Sequence, residues 1–404
     1  MISINEALSI INNNIPKPQQ ILMPLKQCFN RILAEDLTSP EPLPRYTNSA
    51  MDGFAVRWDD VKIVKDDNSV DLKIIGESFA GIPYQGIVNN GETVTVSTGS
   101  AIPDGADTVI PIEVVQIKDN IAKILDIKKK GNYVRNQGEE IKTGDIILKE
   151  GQELNPAAIG LLASVGIKEI KTFKPPDIAI ITTGTELMPL ESDLKPWQIR
   201  DSNSIMLKSA VEDSNANIIF TAYSKDDINL IKKVISEAEI KSDLILISGG
   251  VSVGPHDYVK QAVLELGFKQ LFWNVYQKPG KPLFAAIKNN KMLFGLPGNP
   301  VSVLNCYAYY VHPVIQKLLG RTFNWKIIEA ILSNSVNNKD ERPNFQKFII
   351  NKNENQTAVA IPIEKQGPQF LTSIANANGF TIIESNISYQ KDDIIKINLY
   401  PWEK

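Results

Sequence analysis

Hydrophobic and polar positions between residues 175 and 325 follow two alternating periods. Short apolar runs, typical of buried strands, alternate with longer segments in which apolar residues recur every three or four positions, as in helices. The predicted strands contain DIAIITTG, NIIFTAYS, DLILISGG, LFAAI and MLFGL, and the predicted helices cover 202–214, 226–239, 256–266 and 300–319. Strands that alternate with helices predict a doubly wound α/β domain with a mostly parallel sheet.

Two other regions have short apolar runs separated by glycine, asparagine and other turn residues. These are residues 46–141 and 326–404, and in each we expect a small β domain. Helical signals precede and follow the first of them. We therefore interpret 46–141 as an insertion into one helical domain that consists of residues 1–45 and 142–174.

Local signals also predict where three helices begin. Each combines a residue that caps a helix with a residue that favours its first turn. They are the capping box of Ser3 and Glu6, Asn155 followed by Pro156, and Asn299 followed by Pro300.

Composition excludes several classes of function. With 43 basic and 46 acidic residues, the net charge of −3 gives no cationic field for nucleic acid or anionic lipid. The 2 cysteines and 2 histidines form no zinc motif. We expect a cytoplasmic protein, because the N-terminus lacks a signal peptide and the most apolar stretch, AAIGLLASVGI, is shorter than the ~20 residues that cross a bilayer.

Three turns in the α/β region each follow the C-terminal end of a predicted strand: TTGTE, SGGVSVGPHD and LPGNPVS. In open α/β sheets, ligands bind in the crevice outside these strand ends. Glycine-rich turns and helix N-termini there present backbone N–H groups to anions. We therefore predict an anion-binding site formed by the following residues: Ser248, Gly249, Gly250, Ser252, Pro297, Gly298, Asn299 and Pro300.

Acidic residues cluster at the same predicted edge. Glu186, Asp226 and Asp257 beside a phosphate site indicate Mg²⁺, which bridges anionic partners that would otherwise repel. Asp201 belongs to this group as well. The alternative for Asp201 and Asp226 is helix capping, since each precedes a predicted helix.

The segment QKPGKPLF adds two lysines, Lys278 and Lys281, in a backbone that the flanking prolines restrict. Restricted lysines lose less freedom when they bind an anion; the alternative is a solvated basic loop. Together these signals favour phosphoryl, nucleotidyl or oxyanion transfer.

Seven motifs in order resemble the MoeA family of molybdopterin molybdenumtransferases, which includes the E domain of gephyrin. They are NSAMDGFAV, TGSAIPDGAD, RNQGEEIKTGD, TTGTEL, SGGVSVGPHD, KPGKP and LPGNPVS. The resemblance implies a homodimer whose subunits have a helical spine for dimerisation, an inserted β domain, a Mog-like α/β domain (175–325) and a C-terminal β-barrel (326–404). It also implies that molybdate is inserted into the dithiolene of adenylylated molybdopterin, with Mg²⁺-dependent release of AMP.

The resemblance assigns roles to individual residues. Glu186, Asp226 and Asp257 would be acidic active-site residues and metal ligands, and Lys278 and Lys281 would bind anions. Asp52, Thr98 and Glu140 would come from the partner subunit, and Arg342 and Ser373 would complete the substrate site. The chain departs from the family pattern at Glu140 (usually Asp), Lys347 (often Arg) and Pro368 (often Ser).

Other functions compete with this one. The chain could be a scaffold, as the gephyrin E domain is for receptor peptides, or an adenylyltransferase like the Mog proteins. Mog proteins usually carry GGTG where this chain has GGVS. The family resemblance also implies a Mog-type adenylyltransferase and molybdoenzymes or their chaperones as partners, without nucleic acid or membrane, and leaves molybdate and tungstate both open.

Overall fold

The computed structural model describes residues 1–65, 68–251, 258–352 and 356–403. The chain forms two compact units: Leu22–Lys171, and Met1–Ile21 together with Thr172–Lys404. Among the described residues, no helix is long and apolar enough to cross a membrane.

The helices of the described residues are α1 (Ile4–Asn14), α2 (Trp58–Val61), α3 (Pro156–Ser164), α4 (Ser202–Asp213), α5 (Ile228–Lys241), α6 (Val259–Glu265), α7 (Pro300–Cys306), α8 (His312–Leu318) and α9 (Leu371–Ala375). A π-helical turn, Tyr307–Val311, joins α7 to α8. The predicted helix 300–319 is therefore a continuous helical segment with one wider turn.

The unit Leu22–Lys171 contains a six-stranded sheet. Its strands are β1 (Gly53–Val56), β2 (Val70–Ser78), β3 (Glu92–Val96), β4 (Thr108–Pro111), β5 (Val115–Lys118) and β6 (Ile121–Ile124), in the order β4-β1-β3-β2-β6-β5. Strands outside this sheet lie at Leu37–Thr38, Asn48–Ser49, Val134–Arg135 and Ile146–Leu148, and the strands Gln20–Pro24 and Glu169–Phe173 extend across the boundary of the unit. Successive residues of β1 point to opposite faces, so Phe54 and Ala55 pack into different apolar clusters.

The other unit contains the α/β sheet. Its strands are β7 (Asp177–Thr183), β8 (Asn217–Ser224), β9 (Leu244–Ser248), β10 (Lys269–Trp273), β11 (Phe284–Lys288) and β12 (Lys291–Leu296), in the order β8-β7-β9-β12-β11-β10. In this order the neighbours β8, β7, β9 and β12 are parallel to one another. β11 pairs antiparallel with β12, and β10 pairs antiparallel with β11. The predicted mostly parallel sheet is confirmed, whereas the sequence patterns did not predict β10.

Helices cover both faces of this sheet. In β7, Ile178 and Ile180 face one apolar core, which includes residues of α4 and α7, and Ala179 and Ile181 face a second core with α5 and α6. Helix α1 packs into the first of these cores, whereas the sequence interpretation placed residues 1–45 with 142–174. The reason is the apolar stripe of α1, which needs a large apolar surface to cover it.

The last strands form a closed five-stranded barrel. They are β13 (Ile327–Leu332), β14 (Asn344–Lys352), β15 (Ala358–Pro362), β16 (Gly379–Ile383) and β17 (Ile394–Leu399), in the order β13-β15-β14-β16-β17. Antiparallel pairing of β13 with β17 closes the barrel, and side chains such as Phe348 and Ile397 fill it. Short strands also lie at Leu187–Met188, Ile199–Arg200, Val336–Asn337 and Ser388–Tyr389.

Candidate functional site

Three neighbouring parallel strands deliver the predicted turns to one edge of the sheet. Thr182 of β7 pairs with Ser248 of β9, which pairs with Leu296 of β12, so the chain leaves all three strands at the same level. A pocket of about 710 Å³ lies there. Its lining includes these predicted residues: Glu186, Asp226, Ser248, Gly249, Gly250, Lys278, Lys281, Pro297, Gly298, Asn299, Pro300 and Arg342.

The turn after β9 can be built only with glycines. Gly249 and Gly250 have φ angles of 94° and 65°, in the left-handed region. A Cβ on Gly249 would lie 2.3 Å from the carbonyl oxygen of Thr183. The N–H of Gly249 donates to the carbonyl oxygen of Leu296, so this amide is not free for an anion, contrary to the prediction. Ser252 and Asp257 lie outside the described residues.

Asn203, which the sequence interpretation missed, ties two of the turns together. Its Nδ2 donates to Ser248 Oγ at 2.9 Å and to the carbonyl oxygen of Gly298 at 2.7 Å. The side chain is buried on the pocket wall, where its Oδ1 has no hydrogen-bond partner within the part of the chain that the structure describes. Its position in the string IRDSN, as the second residue of α4, was the available signal.

Asp201 and Asp226 each lie just before a predicted helix, but their carboxylates have different roles. Asp201 caps α4, accepting from the N–H of Ser204 at 3.0 Å, so the capping alternative holds for it. Asp226 does not cap α5, because Asp227 does. Instead Asp226 Oδ2 accepts from the N–H and Oγ1 of Thr185, at 2.9 and 3.0 Å, which holds the carboxylate beside the pocket.

Glu186 and Asp226 form the acidic wall of the pocket and offer the carboxylate oxygens that Mg²⁺ prefers as ligands. Burial raises the pKa of Tyr223, and the negative charges of Asp226, Glu186 and Asp201 raise it further. All three carboxylates therefore lie near this tyrosine. The described residues contain no cluster of three or more metal-ligating side chains. Mg²⁺ is commonly held by one or two carboxylates together with substrate phosphates and water, so Glu186 and Asp226 fit such an ion.

The pocket also has a cationic wall, and a carboxylate outside the lining already engages two of its three cations. Lys278, Lys281 and Arg342 line the pocket. The Nζ of Lys278 lies 2.9 Å from Asp340 Oδ2, and the Nε of Arg342 lies 3.1 Å from Asp340 Oδ1. Hydrogen bonds from Arg342 and then Lys278 hold the pKa of Asp340 well below its usual range. Asp340 was not predicted from the sequence.

The remaining predicted residues lie elsewhere. In the unit Leu22–Lys171, Asp52 Oδ1 accepts from the N–H and Oγ1 of Thr98 at 2.7 and 2.9 Å, and Glu140 is exposed. Ser373 is buried in α9 and does not line the pocket, although Pro368, a few residues before it, does. The structure therefore groups the described site residues of the α/β region and the barrel, with the exception of Ser373.

The fold and the pocket define a class: a multidomain α/β protein with a polar cleft at its parallel strand ends. Three family models match consecutive parts of the chain. They are the MoeA N-terminal region (domain I and II) at residues 2–166, a probable molybdopterin binding domain at 179–317, and the MoeA C-terminal region (domain IV) at 329–400.

Whole-chain relatives agree. The chain is 34% identical to molybdopterin molybdenumtransferase of Haemophilus influenzae, over 95% of each protein, and 33% identical to that of Staphylococcus aureus strain Mu50, over 93% of this chain and 90% of the relative. A crystal structure of a molybdopterin biosynthesis MoeA protein from Pyrococcus horikosii matches with a TM-score of 0.87 and 31% identity, covering 99% of both chains. This chain belongs to the MoeA family of molybdopterin molybdenumtransferases.

Proposed function

We propose that this protein inserts molybdate into the dithiolene of adenylylated molybdopterin and releases AMP, forming molybdenum cofactor. The observation that carries this assignment is a single pocket that is lined by both carboxylates and cationic side chains. An oxyanion and a phosphorylated substrate need the cations, and a metal that assists phosphoanhydride cleavage needs the carboxylates. The curated relatives bear the name of this activity.

On the cationic wall, we propose that Lys278, Lys281 and Arg342 hold molybdate and the substrate phosphate. The two lysines lie in the Lys-Pro-Gly-Lys-Pro segment (278–282), and Arg342 comes from the chain just before β14 of the barrel. Holding both anions beside each other lowers the entropic cost of their reaction.

On the acidic wall, we propose that Glu186 and Asp226, together with Asp257, hold Mg²⁺. When bound, this ion would neutralise charge on the phosphoanhydride and make AMP a better leaving group. The hydrogen bonds from Thr185 keep the carboxylate of Asp226 in place before the substrate arrives. Asn203 keeps the two neighbouring turns at a fixed separation.

We further propose that the protein is a cytoplasmic homodimer, and that a second copy of the chain contributes Asp52, Thr98 and Glu140. The four-part division at residues 45, 141, 174 and 325 and the assistance of Ser252 and Ser373 in substrate binding also remain proposals. Both cysteines, Cys28 and Cys306, are free and buried, which fits a reducing compartment.

A direct test is to incubate the purified chain with adenylylated molybdopterin, Mg²⁺ and molybdate. AMP is followed by chromatography, and the cofactor is followed by activation of a cofactor-free molybdoenzyme. We expect both products with molybdate present, and less of both from Asp226→Asn when Mg²⁺ is limiting. The proposal fails if the intact chain forms neither product, or if it adenylylates molybdopterin from ATP instead.

A further inference from the structure

Asp340 lies against the two cations to which we assign oxyanion binding. Its Oδ2 accepts from Lys278 Nζ at 2.9 Å and from Arg342 Nη2 at 3.3 Å, and its Oδ1 accepts from Arg342 Nε at 3.1 Å. These charged donors are the kind that bind a tetrahedral oxyanion. An incoming dianion therefore meets cations that a carboxylate of the protein already engages.

Asp340 also has hydrogen bonds that do not involve the two cationic groups. The N–H of Asp340 donates to Asn338 Oδ1 at 3.1 Å, and the N–H of Arg342 donates to Asp340 Oδ1 at 3.1 Å. The buried Asn338 also donates to the carbonyl oxygens of Arg342 and Ile383. This turn is held by its own hydrogen bonds, so neutralising Asp340 should leave it intact.

The backbone fixes the position of Lys278 in a similar way. Its N–H donates to the carbonyl oxygen of Pro343, and its own carbonyl oxygen accepts from the N–H of Phe345, both at 2.8 Å. The side chain of Lys278 is 45% exposed, and the residue lines the pocket. Its ammonium group can therefore turn from Asp340 to an anion in the pocket by rotation of the side chain alone.

Resting on the function proposed above, we propose that Asp340 is an internal counterion that weakens oxyanion binding by Lys278 and Arg342 and so sets the molybdate concentration that the pocket requires. Lys278 and Arg342 alone carry a net charge of about +2, and the carboxylate of Asp340 reduces the net charge of the group to about +1. A weaker site is occupied in proportion to molybdate supply and releases its anion to the reaction. If Asp340 only stabilised the turn, its replacement would change the stability of the protein but not its affinity for the anion.

The test is calorimetric titration of the full chain with molybdate at low ionic strength. We expect Asp340→Asn to bind about 5- to 10-fold more tightly than the unsubstituted chain, since one negative charge within a few ångströms of the anion is removed. The gain should shrink as NaCl is raised to 0.5 M, since salt screens exposed charges. Asp340→Glu keeps the charge and is the matched control, with affinity near that of the unsubstituted chain.

Unchanged or weaker binding by a folded Asp340→Asn variant overturns the counterion role. If that variant does not fold, a structure of the unsubstituted chain with molybdate decides: the 2.9 Å contact between Lys278 and Asp340 must be lost. If it persists with molybdate in the pocket, the inference is wrong. The proposed oxyanion site itself fails if the unsubstituted chain binds no molybdate, or if Lys278→Ala binds molybdate as tightly as the unsubstituted chain does. In either case this inference fails with it.

Discussion

Asn203 Nδ2 and Ser248 Oγ, 45 residues apart in the chain, lie 2.9 Å from each other on the pocket wall. The same amide reaches the carbonyl oxygen of Gly298, so one side chain joins the turns after β9 and β12. These turns form the floor of the proposed substrate site. Asn203 therefore adds a side-chain tie to the backbone bond between Gly249 and Leu296 in setting their separation.

We expect Asn203→Ala to lower kcat/KM for cofactor formation by roughly 10-fold or more, because 1 Å of misplacement at an active site is costly. Stability should fall by about 1–3 kcal/mol, since the buried hydroxyl of Ser248 loses its donor. Steady-state kinetics and urea unfolding measure the two effects. Asn229→Ala, at an exposed position of α5, is the control and should change neither. Unaltered kinetics in Asn203→Ala would show that the tie has no functional role.

Asp226→Asn removes one negative charge from the acidic wall while keeping an oxygen that can accept from Thr185. We expect the half-saturating Mg²⁺ concentration for AMP release to rise about 10-fold or more, because Mg²⁺ prefers charged oxygen ligands. The adjacent Asp227→Asn is a matched control: it loses the same charge but keeps a good helix cap. Equal Mg²⁺ requirements in the two variants would remove Asp226 from the metal site.

Lys281→Ala should raise the molybdate concentration needed for half-maximal activity several-fold, with a smaller effect on the maximal rate. Lys281 is exposed and lines the pocket, so the substitution removes an anion contact without opening the core. Lys269→Ala, at an exposed position of edge strand β10 that does not line the pocket, serves as control. Saturation curves in molybdate measure the effect. A curve identical to that of the unsubstituted chain would contradict the assignment of Lys281.

His312 predicts an acid-sensitive contribution to stability. Burial, followed by the positive charge of Arg321, lowers the pKa of His312 from 6.5 to about 4. Because the folded state binds this proton less well than the unfolded state, the contribution is present above pH 6.5 and is lost as the pH falls toward 4. The loss is on the order of 3 kcal/mol. Urea unfolding between pH 7.5 and 5 should show a shallower decline in His312→Gln than in the unsubstituted chain; equal slopes would contradict the prediction.

Lys347 predicts a stabilising substitution in the barrel. The side chain is fully buried, and its Nζ lacks a hydrogen-bond partner among the described residues. Burial lowers the pKa of Lys347 from 10.5 to about 8, so the folded state holds its charge at a cost below pH 8. We expect Lys347→Met to raise the free energy of unfolding at pH 7 by about 1–3 kcal/mol. The exposed Lys352→Met is the control, and lower stability in Lys347→Met would show that the buried ammonium has an unseen partner.

Periodicity and local signals determined the elements and the location of the cleft. The alternation of strands and helices predicted the mostly parallel sheet, and the capping box of Ser3 and Glu6 is present as predicted. The three turns meet at one edge because the carboxyl ends of parallel neighbouring strands lie together. Such features depend on residues near one another in sequence, or on a general rule of sheet topology.

Only the tertiary structure decided which side chains touch across the cleft. Asn203 reaches Gly298 over 95 residues, and Lys278 reaches Asp340 over 62. It also decided that Asp227 rather than Asp226 caps α5, and that Ser373 does not line the pocket. A hydrogen bond needs its atoms placed to within a few tenths of an ångström, and over such sequence separations the packing of whole helices and strands determines that placement.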